Sequence, residues 1–349
     1  MASTTQTETT ATWHMPSETA PHRRTWMAFP TQGYTLGETA AEADAARHTW
    51  AAVANAVARF EPVEMVLTPE DVEVARPLLD GSITLHEAPL DDAWMRDMGP
   101  TFVVSDDGRL GAVDWVFNGW GAQSWATWEH DSKIGRHVAD LAGAEIVDSP
   151  IVNEGGGIHV DGNGTILLTE TVQLGEGRNP ELSKADIEAE MTRCLGVSAF
   201  IWLPRGLTRD YDEFGTRGHV DIVATMPSPG VVLVHDQEDP DHPDHAVSRQ
   251  IIDLLSQSRD AAGHTLQVVR IPAPVCLTDD EGPVDYSYVN HLVVNGGVVA
   301  CTFDDPNDDR ALDVLRQVYP GREVVGVDAR ELYARGGGIH CITQQEPTV

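Results

Sequence analysis

Apolar positions recur at helical spacing along much of the chain. Ile134, Val138 and Leu141 fall on one face of a helix predicted from Ser132 to Leu141. Ile187, Met191 and Leu195 do the same behind a capped start at Ser183-Lys184-Ala185-Asp186, with Gly196 as the stop. Val247, Ile251 and Leu254 mark a helix from His245 to Leu255; Ala311, Val314, Leu315 and Val318 mark one from Asp308 to Val318, ended by Pro320-Gly321. A further start is read behind Thr68, where Pro69 suits the first helical position. These five helices recur about every sixty residues. An Ala-rich helix from Ala41 to Phe60 and a short buried strand from Arg24 to Pro30 precede them, and strands are predicted at Thr165–Leu168, after Asn163-Gly164, and at Gly230–Val234.

The loops repeat as well. Gly156-Gly157-Ile158-His159-Val160-Asp161 resembles Arg217-Gly218-His219-Val220-Asp221, and both resemble Gly337-Gly338-Ile339-His340-Cys341. Tyr288-Val289-Asn290-His291 fills the step missing between the last two, and Asp97 precedes His159 by one further step. Strands and one helix per period predict a closed radial α/β array: a five-bladed, pseudo-symmetric α/β propeller of five repeats. In such an array the inner loops converge, so Asp97, Glu154, His219, Asp221 and Cys341 would meet. The predicted domain organisation is a polar tail over residues 1–20 and a single catalytic domain over 21–349.

Composition narrows the function classes. The chain has 349 residues, with 23 Lys+Arg against 55 Asp+Glu and a formal charge of −32; lysine occurs only at Lys133 and Lys184. Such a surface repels nucleic acid and anionic membrane and attracts small cations, although acidity also serves solubility in a salt-adapted protein. The Thr-rich start lacks a secretory pattern, and no apolar run approaches the roughly 18 residues of a membrane span. Cys194, Cys276, Cys301 and Cys341 show no metal-ligand spacing. The expectation is a reduced, cytoplasmic protein without metal or organic cofactor; homo-oligomerisation is left open.

Cys341 stands behind three glycines and a histidine, a setting in which positive-φ turns can present a thiol in a cleft. The plain alternative is an inert buried cysteine. His219 carries protons near neutral pH, and Glu154 could orient it. The paired oxygens of Asp97 and Asp221 match a planar guanidinium, though Asp97 could instead serve a salt bridge and His219-x-Asp221 a strand end. Together these groups suit thiolate attack on a guanidinium carbon.

The stretches WMRDMGPTFVV (94–104), DWVFNGWG (114–121), NEGGGIHVDGNGTILLTE (153–170), GRNPELS (177–183), GHVD (218–221), FDDPNDDRALDVL (303–315) and GGGIHCITQQ (336–345) resemble the agmatine deiminase family over residues 20 to 347. The resemblance implies a pentein fold of five ββαβ units and an amidino-cysteine intermediate on Cys341. It also implies catalytic roles for His219, Glu154, Asp97 and Asp221, and a small cationic guanidino substrate met by Trp94, Asp97, Asp221 and Gly338. Arg217 departs from the family pattern; it would either bind a substrate carboxylate or pair with Asp210-Tyr211-Asp212-Glu213, the latter being the favoured reading. Met98 departs too.

Three other readings compete. The His- and Asp-rich run from His235 to His245 could hold a metal, but its prolines and spacing favour an acidic surface loop. A binding protein on the same fold would have no use for a presented thiol. A deiminase acting on another guanidino compound, such as a guanidino acid or peptidyl-arginine, is the nearest rival.

Overall fold

The structure, a computed structural model, describes residues 12–275, 277–279 and 282–349. Cys276 lies outside them, as does the start of the expected tail. Among the described residues the strands form five sheets of three or four strands and a two-stranded ribbon, and no helix is long and apolar enough to cross a membrane.

Each of the five sheets combines an antiparallel strand pair with a parallel strand reached through a helix. Thr101–Ser105 pairs antiparallel with Leu110–Val116, which pairs parallel with Glu145–Val152 after the helix Ile134–Ala142. The same sequence of elements runs through Ile158–Val160, Thr165–Thr169, helix Lys184–Leu195 and strand Ala199–Leu203. It recurs in Ala224–Ser228, Val231–Asp236, Asp244–Gln257 and Gln267–Pro272, and in Leu292–Val294, Gly297–Thr302, Asp308–Val318 and Glu323–Asp328. Parallel neighbours need a crossover of this length, which is why each unit carries one helix.

The fifth sheet joins the two ends of the chain. Thr343–Pro347 pairs antiparallel with His22–Ala28, which runs parallel to Val63–Leu67. The crossover helix here is Ala40–Ala58, opened by a capping box in which Thr39 and Glu42 satisfy each other's backbone N–H groups. The helix expected behind Thr68 is therefore not the repeating one. It is a 3-10 turn, Pro69–Asp71, and one α-turn, Val72–Ala75, leading to an additional strand, Thr84–Glu87. Thr68 spends its hydroxyl on the Asp71 carboxylate, 2.7 Å away, and caps no backbone N–H. By contrast, Ser183 and Gly196 bound their helix as expected, through a capping box and a left-handed C-cap.

The expected tail boundary at residue 20 also needs correcting. Trp13–His14 pairs antiparallel with Val104–Ser105, and Trp13, Met15 and Glu18 are buried. Trp13 joins an apolar cluster with Val103, Val113 and Ile166, so hydrophobic burial holds this segment despite its polar neighbours.

Candidate functional site

The residues expected to converge sit at equivalent places, in the loop just before the first strand of each unit. Asp97 precedes Thr101–Ser105, Glu154 precedes Ile158–Val160, His219 and Asp221 precede Ala224–Ser228, and Cys341 precedes Thr343–Pro347. Asn290 holds the fifth such place, before Leu292–Val294. All are buried, and His219, Asp221 and Cys341 border a cavity of about 630 Å³.

Gly156 shows how tightly the loops meet. A Cβ there would lie 2.6 Å from His219 Nδ1, 2.9 Å from Asp97 Oδ1 and 3.1 Å from Asp221 Oδ2, so its missing side chain keeps those groups together. Gly338 does the same for the thiol loop, because a Cβ would stand 2.3 Å from Asn290 Oδ1. Of the three glycines before Cys341, only Gly336 takes positive φ; the other two permit close approach.

The hydrogen bonds define the charges. His219 Nε2 lies 3.2 Å from Glu154 Oε2, and Nδ1 lies 3.9 Å from Asp97 Oδ2. Burial alone would depress His219; Asp97, Glu154 and Asp221 outweigh it and raise the imidazole to about 9. Glu154 is held by Arg178, whose Nε donates to both carboxylate oxygens at 3.0 and 2.9 Å while Nη2 donates to the Thr216 carbonyl. Burial opposes its charge, but Arg178 and His219 bring its pKa below the ordinary range.

Asp97 accepts from the Trp120 indole at 2.8 Å and from Gly156 N–H at 3.0 Å, leaving lone pairs for a further donor. Trp120 has φ 57, an uncommon left-handed conformation for a bulky residue, which aims its ring at the carboxylate. Burial raises the Asp97 pKa, with His219 pulling the other way. Asp221 Oδ2 meets His340 Nδ1 at 2.9 Å and Cys341 Sγ at 3.5 Å, whereas its Oδ1 has no hydrogen-bond partner. His219 Nδ1 is likewise unpartnered.

Cys341 Sγ receives the Asn290 amide N–H at 3.2 Å. Burial pushes the thiol well up, and Asp221 and Asp97 push it further; the Gly338 backbone N–H and Asn290 offset part of this. In the unliganded protein the group is therefore a thiol, and a cation among these carboxylates would favour the thiolate.

Trp94 stands behind the thiol loop, with its ring 2.9 Å from where a Gly337 Cβ would be, and packs edge-on against Trp50 at 5.4 Å. Arg217 donates to the Tyr211 carbonyl and, at 2.9 Å, to Gln123 Oε1. It thus engages the acidic stretch through its backbone. The cavity wall carries Asp210, Glu213, Asp279 and Asp285, with Arg209 as a cation that pairs with Asp279 at 2.6 Å.

Sequence reasoning missed several members. Asn290 stood in the repeated loop without a role, and Arg178 lay inside the GRNPELS stretch. Trp120 likewise lay inside DWVFNGWG. The four histidines of the repeat diverge: His219 borders the cavity, His340 lies behind Asp221, His159 bonds Thr225 at 2.8 Å and His291 bonds the Tyr319 hydroxyl at 2.9 Å. The His235–His245 run does not gather a metal site. His235 and Asp236 end a strand and are buried against Ser287 and Arg249, while the buried Asp244 begins a helix and accepts from Thr208 N–H. Only the middle of that run is a surface loop.

A thiol, an imidazole and the Asp221 carboxylate border one cavity, with Asp97 and Glu154 packed against the imidazole. Residues 14–347 match the Porphyromonas-type peptidyl-arginine deiminase family. A Streptomyces coelicolor protein provisionally named an agmatine deiminase is 58% identical over 96% of this chain and 99% of its own length. The agmatine deiminase of Stutzerimonas stutzeri is 41% identical, with 99% of both chains covered. Among solved structures, the agmatine deiminase of Enterococcus faecalis superposes with a TM-score of 0.90 at 33% identity, over 97% of this chain and 96% of that one. The chain belongs to the Porphyromonas-type peptidyl-arginine deiminase family and, within it, to the agmatine deiminase family.

Proposed function

We propose that the chain hydrolyses the guanidinium group of agmatine to N-carbamoylputrescine and ammonia through a covalent intermediate on Cys341. The observation that carries this is a pair of buried polar atoms without a hydrogen-bond partner, Asp221 Oδ1 and His219 Nδ1, in residues that border the same cavity as the thiol. An orphaned buried carboxylate oxygen is costly unless a ligand donor meets it.

Asp97 and Asp221 hold the guanidinium by charge-assisted hydrogen bonds, and its charge offsets the carboxylates that oppose the thiolate. Binding and activation are thus one event: the thiol gives its proton to solvent as the guanidinium docks, and Cys341 takes one back when the product leaves. The thiolate attacks the guanidinium carbon. His219, protonated at neutral pH, gives its proton to the departing nitrogen, which leaves as ammonia and produces an alkylthiouronium on sulfur. His219 then takes a proton from the attacking water. Collapse gives the urea product, the Cys341 thiolate and a second proton released to solvent. Glu154, fixed by Arg178, orients His219 throughout.

Acid–base and thiolate chemistry supply every step, so the proposal includes no metal or organic cofactor. On the cavity wall Asp279 is paired with Arg209 and burial pushes Asp285 up to about 8, so Glu213 is the wall carboxylate that favours a second positive charge on the substrate; Arg217, turned to Tyr211 and Gln123, gives no support to a carboxylate-bearing one. We place the reaction in the cytoplasm. We also read the five sheets as blades of a pseudo-fivefold pentein propeller, closed by Thr343–Pro347 on His22–Ala28. Their shared strand order and the equivalent positions of the site loops support this, and make residues 21–349, with the packed segment before them, one catalytic domain.

Comparing kcat/KM for agmatine and 4-guanidinobutanoate tests the substrate. Agmatine should be preferred at least ten-fold; faster turnover of the acid would keep the chemistry and overturn the substrate.

A further inference from the structure

Behind Asp221, on the side away from the cavity, lies a buried charged cluster that the reaction as described does not use. His340 bridges two carboxylates: Nδ1 lies 2.9 Å from Asp221 Oδ2, and Nε2 lies 2.8 Å from Glu18 Oε1. Two ionised carboxylates can both be satisfied only if both ring nitrogens carry hydrogen, so the geometry selects the imidazolium. The charged and titratable groups facing the ring are Glu18, Arg96, His159, Asp221 and His291. Arg96 Nη1 and His159 Nδ1 each stand 3.6 Å from Glu18 Oε1, and Arg96 also donates from Nε to the His340 carbonyl and from its backbone N–H to the Cys341 carbonyl.

Glu18, His159 and His340 place ligand atoms within 4.8 Å of one another, which raises the question of a metal. Arg96 argues against one, because its guanidinium already supplies positive charge beside the Glu18 carboxylate. The cluster is better described as two anions and two cations, Glu18, Asp221, His340 and Arg96, in mutual compensation.

We propose that Glu18 and His340 form a positioning relay that anchors Asp221 by Oδ2 and so turns its Oδ1 into the cavity as the guanidinium acceptor, while the imidazolium, which meets the same Asp221 Oδ2 as Cys341 Sγ, offsets the carboxylate charge that opposes the thiolate. His340 and Glu18 are positioning residues; neither touches substrate. The segment from Trp13 to Ala20 is therefore a working part of the active site. The directions of ionisation agree: burial opposes both charges, yet His340 is raised and Glu18 lies well below the carboxylate range.

This inference rests on the proposed agmatine chemistry for one readout and is independent of it for the other. In His340→Asn the amide nitrogen falls near the position of Nδ1 and can still donate to Asp221. In His340→Gln it reaches toward Nε2 and Glu18 instead. The first variant should keep kcat/KM for agmatine within about ten-fold of the parent, and the second should lose at least a hundred-fold, mostly through KM. Both lack the imidazolium, so substrate-free alkylation of Cys341 by iodoacetamide should move to higher pH in both. Equal losses in the two variants, or an unmoved alkylation profile, would overturn the relay, since a role in folding alone would depress both alike and leave the thiol where it was. A parent enzyme inactive on agmatine would refute the substrate assignment, while the alkylation profile would still read the relay. Should neither His340 variant fold, Glu18→Gln carries the test: His340 then releases its proton at lower pH and the profile rises, and an unmoved profile would refute the relay.

Discussion

Cys341 and Cys301 touch the same residue and have opposite prospects. Cys301 Sγ donates to the Asn290 carbonyl at 2.9 Å, whereas Cys341 Sγ accepts from the Asn290 side-chain amide at 3.2 Å. Burial pushes Cys301 up to about 12, and it pushes Cys341 well up too. A perturbed thiol therefore does not mark the nucleophile. What separates them is setting: Cys301 lies inside the strand Gly297–Thr302 at 0% exposure, while Cys341, at 5%, ends a glycine loop on the cavity beside Asp221 and His219. Only the second thiol can be ionised by an arriving cation.

The largest expected effect follows directly. Cys341→Ser should lower ammonia release from agmatine by more than about a hundred-fold, because a hydroxyl is far less ionised than a thiol at neutral pH. Cys301→Ala should leave kcat within about three-fold while costing about 1 kcal/mol in denaturant unfolding, as a small core truncation does. If Cys301→Ala abolished turnover with the fold intact, the contrast between the two thiols would collapse.

His219→Ala comes next, with an expected loss of about 10²–10⁴-fold in kcat. Its raised value also sets a pH limit. Because the folded-state pKa, about 9, exceeds the ordinary 6.5, the His219 contacts stabilise the fold fully below 6.5 and are lost as pH rises through about 9. Turnover should fall over the same upper range, since ammonia then leaves without a proton donor; a parent rate flat to pH 10.5 would require another acid.

Asp221→Asn sharpens the comparison from the electrostatic side. Removing that charge should bring alkylation of Cys341 to lower pH without substrate, while KM for agmatine rises at least ten-fold; Cys301 should be unaffected. Slower alkylation would mean that Asp221 assists the thiol rather than opposing it. The smallest effect is salt. At −32 overall, raising ionic strength from about 0.05 to 0.5 M should reduce kcat/KM for agmatine by about three-fold, leaving kcat nearly constant.

Much of this site was legible because the chain repeats itself. Asp97, Glu154, His219, Asp221 and Cys341 could be aligned through their loops, and the structure does bring them together around Gly156 and Cys341. The partners were not legible, for a physical reason. Arg178, Trp120, Glu18 and His340 act through contacts formed only by tertiary closure, and Glu18 sits in a polar stretch with no local pattern. The fold was misread at Thr68 because a cap-like residue followed by proline does not by itself make a long helix. The crossover in that unit belongs to Ala40–Ala58, where Trp50, Val53 and Val57 supply a buried face and Thr39 a true cap.

The most direct test of the central claim is to quench the enzyme in acid during turnover of agmatine, digest it, and map adducts by tandem mass spectrometry. The expected result is an alkylthiouronium on the peptide containing Cys341, absent from those containing Cys194 and Cys301 and absent before substrate is added. Product formation with no adduct on Cys341 under any quench time, or an adduct on another cysteine, would contradict covalent catalysis at this thiol.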